Sequence, residues 1–193
     1  MNLRLFVALD PPDPVRRRLG GVQASLREAA GHHAESIRWA PADRLHLTLQ
    51  FLGAVPEERL EAVRRAVEEA AAASRPLRLA VRGAGAFPAP RRARVVWAGV
   101  DDDAGGLAAL AAALGRGLAP LGFPADGRPL SPHVTLGRSR ETGGARGLGG
   151  ALAAVAAAEP FPWRAEDLVL FRSHLGAGGG RHEALLRARL GPG

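Results

Sequence analysis

The chain has 193 residues, 47% of them hydrophobic, and a formal net charge of +7. This fits one globular domain, or two small lobes sharing a cleft, with an anionic partner such as nucleic acid. It contains no Cys, no Tyr and no Lys, so all 26 basic residues are Arg, which excludes thiolate, tyrosyl-phosphate, P-loop lysine and Schiff-base chemistry.

The first half of the chain predicts alternating strands and helices. Residues 3–9 form a short apolar run that ends at Asp10-Pro11-Pro12, as expected for a buried strand. Apolar residues then recur at helical spacing over 14–30, so we expect an amphipathic helix that Asp13 caps and Gly31 ends. The remaining predictions are strands at 37–39 and 45–52, a helix at 56–74 and a strand at 77–82.

The second half repeats this order loosely. A Gly/Pro-rich segment at 83–94 is expected to be a loop, and 143–158 a mobile segment with one short helix. The other predictions are a helix at 105–121, a Pro-bounded loop at 122–132, strands at 95–100, 133–138, 167–173 and 182–190, and a Gly-rich hairpin at 176–180. Because no regular βαβ spacing or G-x-G-x-x-G turn occurs, an α+β fold of two related halves is favoured over a dinucleotide-binding sheet.

Two short segments with the same H-x-T-x pattern stand out, one in each half: residues 46–49 (HLTL) and 133–136 (HVTL). On a strand, residues two apart point to the same face, so His and Thr of each segment should project together. The alternate apolar residues of each segment should face the core; these are Leu47, Leu49, Val134 and Leu136.

Paired histidines next to hydroxyls suit displacement at phosphorus. One imidazole can take a proton from water while the other protonates the leaving oxygen, since both titrate near neutral pH. Thr48 and Thr135 can donate to the non-bridging oxygens, and Arg138 can neutralise the growing charge. The sequence therefore predicts His46 and His133 as the catalytic pair of a phosphoesterase.

The segments RLFVALDPP, IRWAPADR, LHLTLQFLG, GAFPAPRRARVVWAGV, LAPLGF, SPHVTLGR and LVLFRSHLG resemble the LigT-like branch of the 2H phosphoesterase superfamily over nearly the whole chain. These are RNA 2′,3′-cyclic phosphodiesterases, also called 2′-5′ RNA ligases. The resemblance implies one bilobal domain over 1–193, with an α+β fold in which two antiparallel sheets and outer helices flank a central cleft with pseudo-two-fold symmetry.

The resemblance also implies roles. His46 would be the proton donor and His133 the proton acceptor, with Thr48 and Thr135 binding the phosphate and Arg138 assisting. The expected reaction opens a terminal 2′,3′-cyclic phosphate to a 2′-phosphate, with no cofactor and no metal, in a cytoplasmic monomer whose partners are RNA ends such as tRNA fragments. The sequence departs from the family pattern at two positions: Gln50 replaces a common Lys and Gly137 a bulkier residue.

Two rival functions stay open on the sequence alone. The chain could be a non-catalytic RNA-binding module, or a phosphodiesterase for a small cyclic nucleotide or cyclic ADP-ribose phosphate. Other candidate residues have ordinary structural explanations: a helix end for His32 and His33, the surface or cleft rim for His174 and His182, and the core for Trp39 and Trp97. For Arg91, Arg92 and Arg94, contacts with the RNA backbone along the cleft and an ordinary solvated loop are equally plausible.

Overall fold

A computed structural model describes residues 1–125, 127, 129–174, 176 and 180–192, and it has the expected α+β class. Within these residues lie four α-helices: α1 (Asp13–Ala30), α2 (Leu60–Ala72), α3 (Gly106–Leu118) and α4 (Gly149–Ala156). The strands are β1 (Asn2–Leu9), β2 (Ile37–Trp39), β3 (Leu47–Pro56), β4 (Leu77–Ala89), β5 (Arg92–Asp101), β6 (His133–Ser139), β7 (Phe161–Ala165), β8 (Asp167–His174) and β9 (Arg181–Arg189).

The strands run in the order β7-β4-β5-β6-β3-β1-β8-β9, with β2 added on β6, and all neighbours are antiparallel. The β3–β6 pairing consists of one residue pair, Leu47 with Val134. This narrow junction divides the strands into a His46 half (β3, β1, β8, β9) and a His133 half (β6, β5, β4, β7 and β2). Read outward from the junction, the two halves have equivalent strand orders, which agrees with the predicted pseudo-two-fold symmetry.

The helices cover the face opposite the histidines and cross between the halves. Helix α1 follows β1 of the His46 half, yet it packs against α4, which lies on β4 of the His133 half. Helix α3 follows β5 and packs against α2, which covers β8 and β9. The buried Gln23 of α1 donates from Nε2 to the carbonyl oxygens of Leu136 and Ala40, each at 2.8 Å, which fixes α1 to β6.

Two predictions of secondary structure were wrong. Most of the predicted loop 83–94 is a hairpin, because β4 continues to Ala89 and β5 begins at Arg92. Strand β7 was not predicted; it contains Pro162 and follows Pro160. Because β7 is an edge strand, paired only with β4, a Pro can be accommodated without losing a ladder bond on both sides.

Smaller differences concern the ends of elements. Pro12, not Asp13, is the N-cap of α1, and Asp13 is the first residue of the helix. The predicted strand 45–52 begins at Leu47, so His46 immediately precedes β3. Most of the predicted hairpin 176–180 lies outside the described residues. In the part of the chain that the structure describes, no helix is long and apolar enough to cross a membrane.

Candidate active site

The two H-x-T-x segments meet at the junction of the halves. Because Leu47 and Val134 are paired and fully buried, the flanking His and Thr residues lie on the opposite face of the sheet, which we call the cleft face. Continuing that register places His46 and His133 diagonally across the pair. Diagonal positions of a regular antiparallel pair are roughly 7–8 Å apart, which leaves room for a phosphate between two imidazoles.

Each segment has a β-bulge at its fourth residue. In β3, Thr48 pairs with Ala8 and Gln50 with Val7, so Leu49 is the extra residue. In β6, Thr135 pairs with Trp97 and Gly137 with Val96, so Leu136 is the extra residue. A bulge shifts the alternation by one, and the cleft face is therefore continued by the fifth residue after each histidine. These equivalent residues are Phe51 and Arg138.

The bulges also explain the two departures from the family pattern. Gln50 points away from the cleft, is buried, and donates from Nε2 to the Phe123 carbonyl at 2.8 Å. A Cβ on Gly137 would lie 2.6 Å from Cγ2 of Ile37, so β2 can pack here only over a glycine. Neither residue lies on the cleft face.

Both catalytic candidates are held by a carbonyl two residues upstream. Nδ1 of His46 lies 2.7 Å from the Arg44 oxygen, and Nδ1 of His133 lies 2.7 Å from the Ser131 oxygen. A carbonyl can only accept, so Nδ1 carries the hydrogen in both rings. Nε2 is then the nitrogen left for chemistry: it accepts a proton when the ring is neutral and donates one when the ring is charged.

The surroundings of His46 are aromatic. Its ring centroid lies 4.8 Å from that of Phe6 and 6.2 Å from that of Phe171, and His182 stands perpendicular to it at 5.2 Å. Burial lowers the pKa of His46 from 6.5 to about 4; the charges of His182 and Arg138 act in the same direction. The Arg44 carbonyl and Asp10 oppose this shift without cancelling it.

His133 lies beside a second aromatic group. Its ring centroid is 5.2 Å from that of Phe87 and 6.3 Å from that of Trp97. The indole of Trp97 lies over Gly85, its partner on the neighbouring strand β4. A Cβ on Gly85 would come within 2.3 Å of that indole. The prediction that Trp97 belongs to the core was therefore wrong. Trp39 packs against the core as predicted, with Nε1 donating to the Ala34 carbonyl at 3.2 Å.

A charged cluster supports the turn before His46. The carboxylate of Asp10, with 8% of its side chain exposed, binds the guanidinium groups of Arg16 and Arg187. Arg16 also donates from NH1 to the carbonyls of Ala42 at 2.9 Å and Leu45 at 3.3 Å, on either side of Arg44. This anchors the turn whose Arg44 carbonyl holds His46.

Sequence reasoning missed His182. It was assigned to the surface or rim, yet its ring packs against Phe6 at 5.0 Å, and its Nδ1 is buried with no hydrogen-bond partner among the described residues. Burial lowers its pKa, as does the charge of Arg44. The signal was the pairing of the last two predicted strands, which places His182 opposite Ser173. His174 lies outside this cluster, paired with Glu183 at 2.7 Å.

The remaining candidate residues lie away from the His46–His133 pair. His32 and His33 lie against each other, with ring centroids 3.9 Å apart and planes tilted by 39°, in the 3₁₀ turn that follows α1. Arg91 and Arg92 are exposed at the β4–β5 hairpin, where Arg92 donates from Nε to the Gly143 carbonyl at 2.8 Å, and Arg94 is exposed on β5. Within the described residues, no group of three or more His, Asp or Glu converges as a metal site would require.

Known proteins match this chain over residues of both the His46 half and the His133 half. A family model described as the 2′-5′ RNA ligase superfamily matches residues 11–177. Over 136 residues, which are 70% of this chain and 72% of the relative, the chain is 37% identical to an RNA 2′,3′-cyclic phosphodiesterase of Archaeoglobus fulgidus. The structure resembles TT0787 of Thermus thermophilus, with TM-score 0.79, 29% identity and 97% of each chain covered. It also resembles Escherichia coli LigT complexed with 3′-AMP, with TM-score 0.70, 30% identity, and 98% of this chain and 99% of LigT covered.

Proposed function

The chain belongs to the 2′-5′ RNA ligase superfamily, and from this membership and the geometry of the cleft we propose that it hydrolyses 2′,3′-cyclic phosphate at RNA ends. The observation that carries the proposal is the matched pair of imidazoles on one face, each with Nδ1 tied to a carbonyl and Nε2 left free. The relative from Archaeoglobus fulgidus is an RNA 2′,3′-cyclic phosphodiesterase, which supports the same reaction here.

In the proposed reaction, a water oxygen bonds to phosphorus as the bond from phosphorus to O3′ breaks. His133 takes the proton of the water, and His46 gives its proton to O3′, which leaves a 3′-hydroxyl and a 2′-phosphate. Thr48 and Thr135 donate to the non-bridging oxygens, and Arg138 offsets their negative charge. The assignment of donor and acceptor follows the family, since the two tethers are equivalent.

The low pKa of His46 adds a condition to this assignment. In the free protein His46 is neutral at pH 7, because burial lowers its pKa to about 4, whereas a proton donor must be charged. A phosphate anion beside Nε2 favours the charged ring and raises its pKa. We therefore expect binding of the cyclic phosphate at pH 7 to be accompanied by uptake of a proton.

The test is incubation of the purified protein with EDTA and an oligonucleotide that ends in a 2′,3′-cyclic phosphate, with the product identified by phosphorus NMR. We expect turnover to survive chelation and to yield a 2′-phosphate, because His, Thr and Arg supply every catalytic group. Loss of activity that a divalent ion restores would contradict the mechanism. A clean 3′-phosphate would exchange the roles of His46 and His133 but keep the pair.

Joining a 5′-hydroxyl to the cyclic phosphate uses the same groups and needs no ATP, so the proposal includes reversible 2′-5′ ligation, with hydrolysis dominant in water. It also includes a monomer that acts on tRNA fragments in the cytoplasm. Gel filtration with light scattering tests the monomer, and sequencing of cyclic-phosphate RNA ends in cells with and without the protein tests the substrate.

A further inference from the structure

Strand β2 places a second arginine beside Arg138. The three residues of β2 pair with the end of β6, and Arg38 lies directly opposite Arg138. Directly opposed residues of an antiparallel pair share a face. Because the bulge at Leu136 turns Arg138 to the cleft face, Arg38 lies on that face as well. Its neighbour Ile37 is buried on the other side, whereas Arg38 is exposed.

This pairing is unfavourable by itself. Like charges directly opposite each other on neighbouring strands repel and destabilise the sheet. Neither arginine forms a salt bridge with any carboxylate of the described residues, so no described group of the protein offsets the repulsion. Anionic groups of a bound ligand beside the two guanidinium groups would offset the repulsion.

The position of Arg38 indicates which anion this is. Arg138 acts on the site itself, and its charge reaches His46 across the junction. Arg38 lies on the same edge of β6 as β3, because β5 pairs along the other edge, but it is opposite residue 138, whereas β3 is opposite residue 134. Arg38 is thus displaced along β6 from the histidine pair, and the charge that it meets lies beyond the cyclic phosphate. In RNA, the next charge is the phosphodiester on the 5′ side of the terminal nucleotide, which a cyclic mononucleotide with a 5′-hydroxyl lacks.

We propose that Arg38 binds the phosphodiester on the 5′ side of the terminal nucleotide, so that the cleft favours RNA ends over cyclic mononucleotides. This rests on the proposed function, because it adds a second phosphate site to the same cleft. A guanidinium can hold a phosphate with two parallel hydrogen bonds, whereas a Lys ammonium acts as a point charge. The subsite reads the sugar-phosphate backbone and carries no base preference.

The experiment compares Arg38→Gln with a matched control, Arg65→Gln, on three substrates with 5′-hydroxyl ends: 2′,3′-cyclic AMP, a dinucleotide and a tetranucleotide with a 2′,3′-cyclic phosphate. Arg65 is exposed on α2, which covers the other face of the sheet, so its loss changes the net charge equally. For Arg38→Gln we expect kcat/KM to fall about tenfold through KM on both oligomers, with cyclic AMP unchanged. The full effect should appear at the dinucleotide, and Arg38→Lys should restore part of it.

The outcomes separate the two proposals. If Arg38→Gln lowers kcat/KM equally on all three substrates, or on none, while the unaltered protein turns over all three, the subsite is wrong and the proposed function stands. An effect of Arg65→Gln equal to that of Arg38→Gln would assign the loss to net charge and also overturn the subsite. If the unaltered protein hydrolyses none of the three, the proposed function and the subsite both fail.

Discussion

The His46 half and the His133 half build their part of the cleft with the same backbone and different surroundings. In both, a histidine held by a carbonyl precedes a bulge that returns one residue to the cleft face. That residue is Phe51 in one half and Arg138 in the other. His46 lies among Phe6, Phe171 and His182, and its burial lowers its pKa, whereas His133 lies beside Phe87 and Trp97 at the start of the strand that carries Arg138. Equivalent backbones thus provide equivalent nitrogens, and the neighbouring side chains decide what each can do.

The two halves would not be equivalent in catalysis if one of the two imidazoles were dispensable for turnover. We expect His46→Ala and His133→Ala each to lower kcat/KM on a cyclic-phosphate oligonucleotide by about 10²–10⁴-fold, the usual contribution of a positioned acid or base. Because the two act in one step, the double variant should lose far less than the product of the single losses. Steady-state kinetics measures this.

His32→Ala is the matched control, since His32 is exposed beyond the end of α1. RNA affinity, measured by fluorescence anisotropy, should stay within a few-fold in all three single variants. Full turnover by either His46→Ala or His133→Ala would contradict paired catalysis and leave the RNA-binding module as the better interpretation.

The second prediction concerns the residues after the bulges. Arg138→Met should lower kcat by about 10²-fold, because it removes one donor that offsets charge in the transition state. Phe51→Leu should change kcat less than about threefold, since the ring is 70% exposed and, within the part of the chain that the structure describes, Phe6 is its one aromatic neighbour. Equal losses in the two variants would show that the halves do not divide their roles in this way.

The third prediction uses stability against pH. His46 has a folded pKa of about 4 against 6.5 when exposed, so the unfolded chain binds more protons between these values. Protonation of His46 in the unfolded chain therefore lowers the free energy of unfolding by about 2 kcal/mol as the pH falls from 7 to 5. His46→Gln should be less sensitive by that amount, as measured by urea unfolding at both pH values. An unchanged difference would mean that His46 is not buried as described.

How much of this could be predicted from the sequence depends on the range of the interaction. Alternation within a strand correctly placed Leu47 and Val134 in the core, and the repeated pattern predicted the two segments that meet at the junction. A bulge inserts one residue without leaving a mark in composition, so the cleft-facing position of Phe51 and the buried position of Gln50 could not be predicted. The cleft position of His182 depends on the register of β8 and β9, which is set by tertiary packing.

Trp97 shows the same limit. An indole between apolar neighbours is typical of a core residue, and the glycines that leave room for it on the cleft face belong partly to another strand. The role of Arg138 was predicted from chemistry and resemblance alone, without a structural reason for its position. It was expected to reach the phosphate as the fifth residue after His133, and only the bulge at Leu136 turns it to that face.

The smallest expected effect tests whether His182 belongs to the chemistry or to the surroundings of His46. His182→Phe keeps a ring against Phe6 and removes a charge that lowers the pKa of His46. Since burial is the larger cause and is retained, the pKa of His46 should rise only slightly and kcat should change less than about threefold. Titration of the imidazole carbon resonances by NMR reports this pKa directly.

His174→Phe is the matched control, since it removes a histidine that is paired with Glu183 outside the cluster, and it should leave the pKa of His46 unchanged. A loss of rate near that of His46→Ala would instead place a third imidazole in the reaction, and the two halves would then differ in the number of groups that move protons as well as in their surroundings.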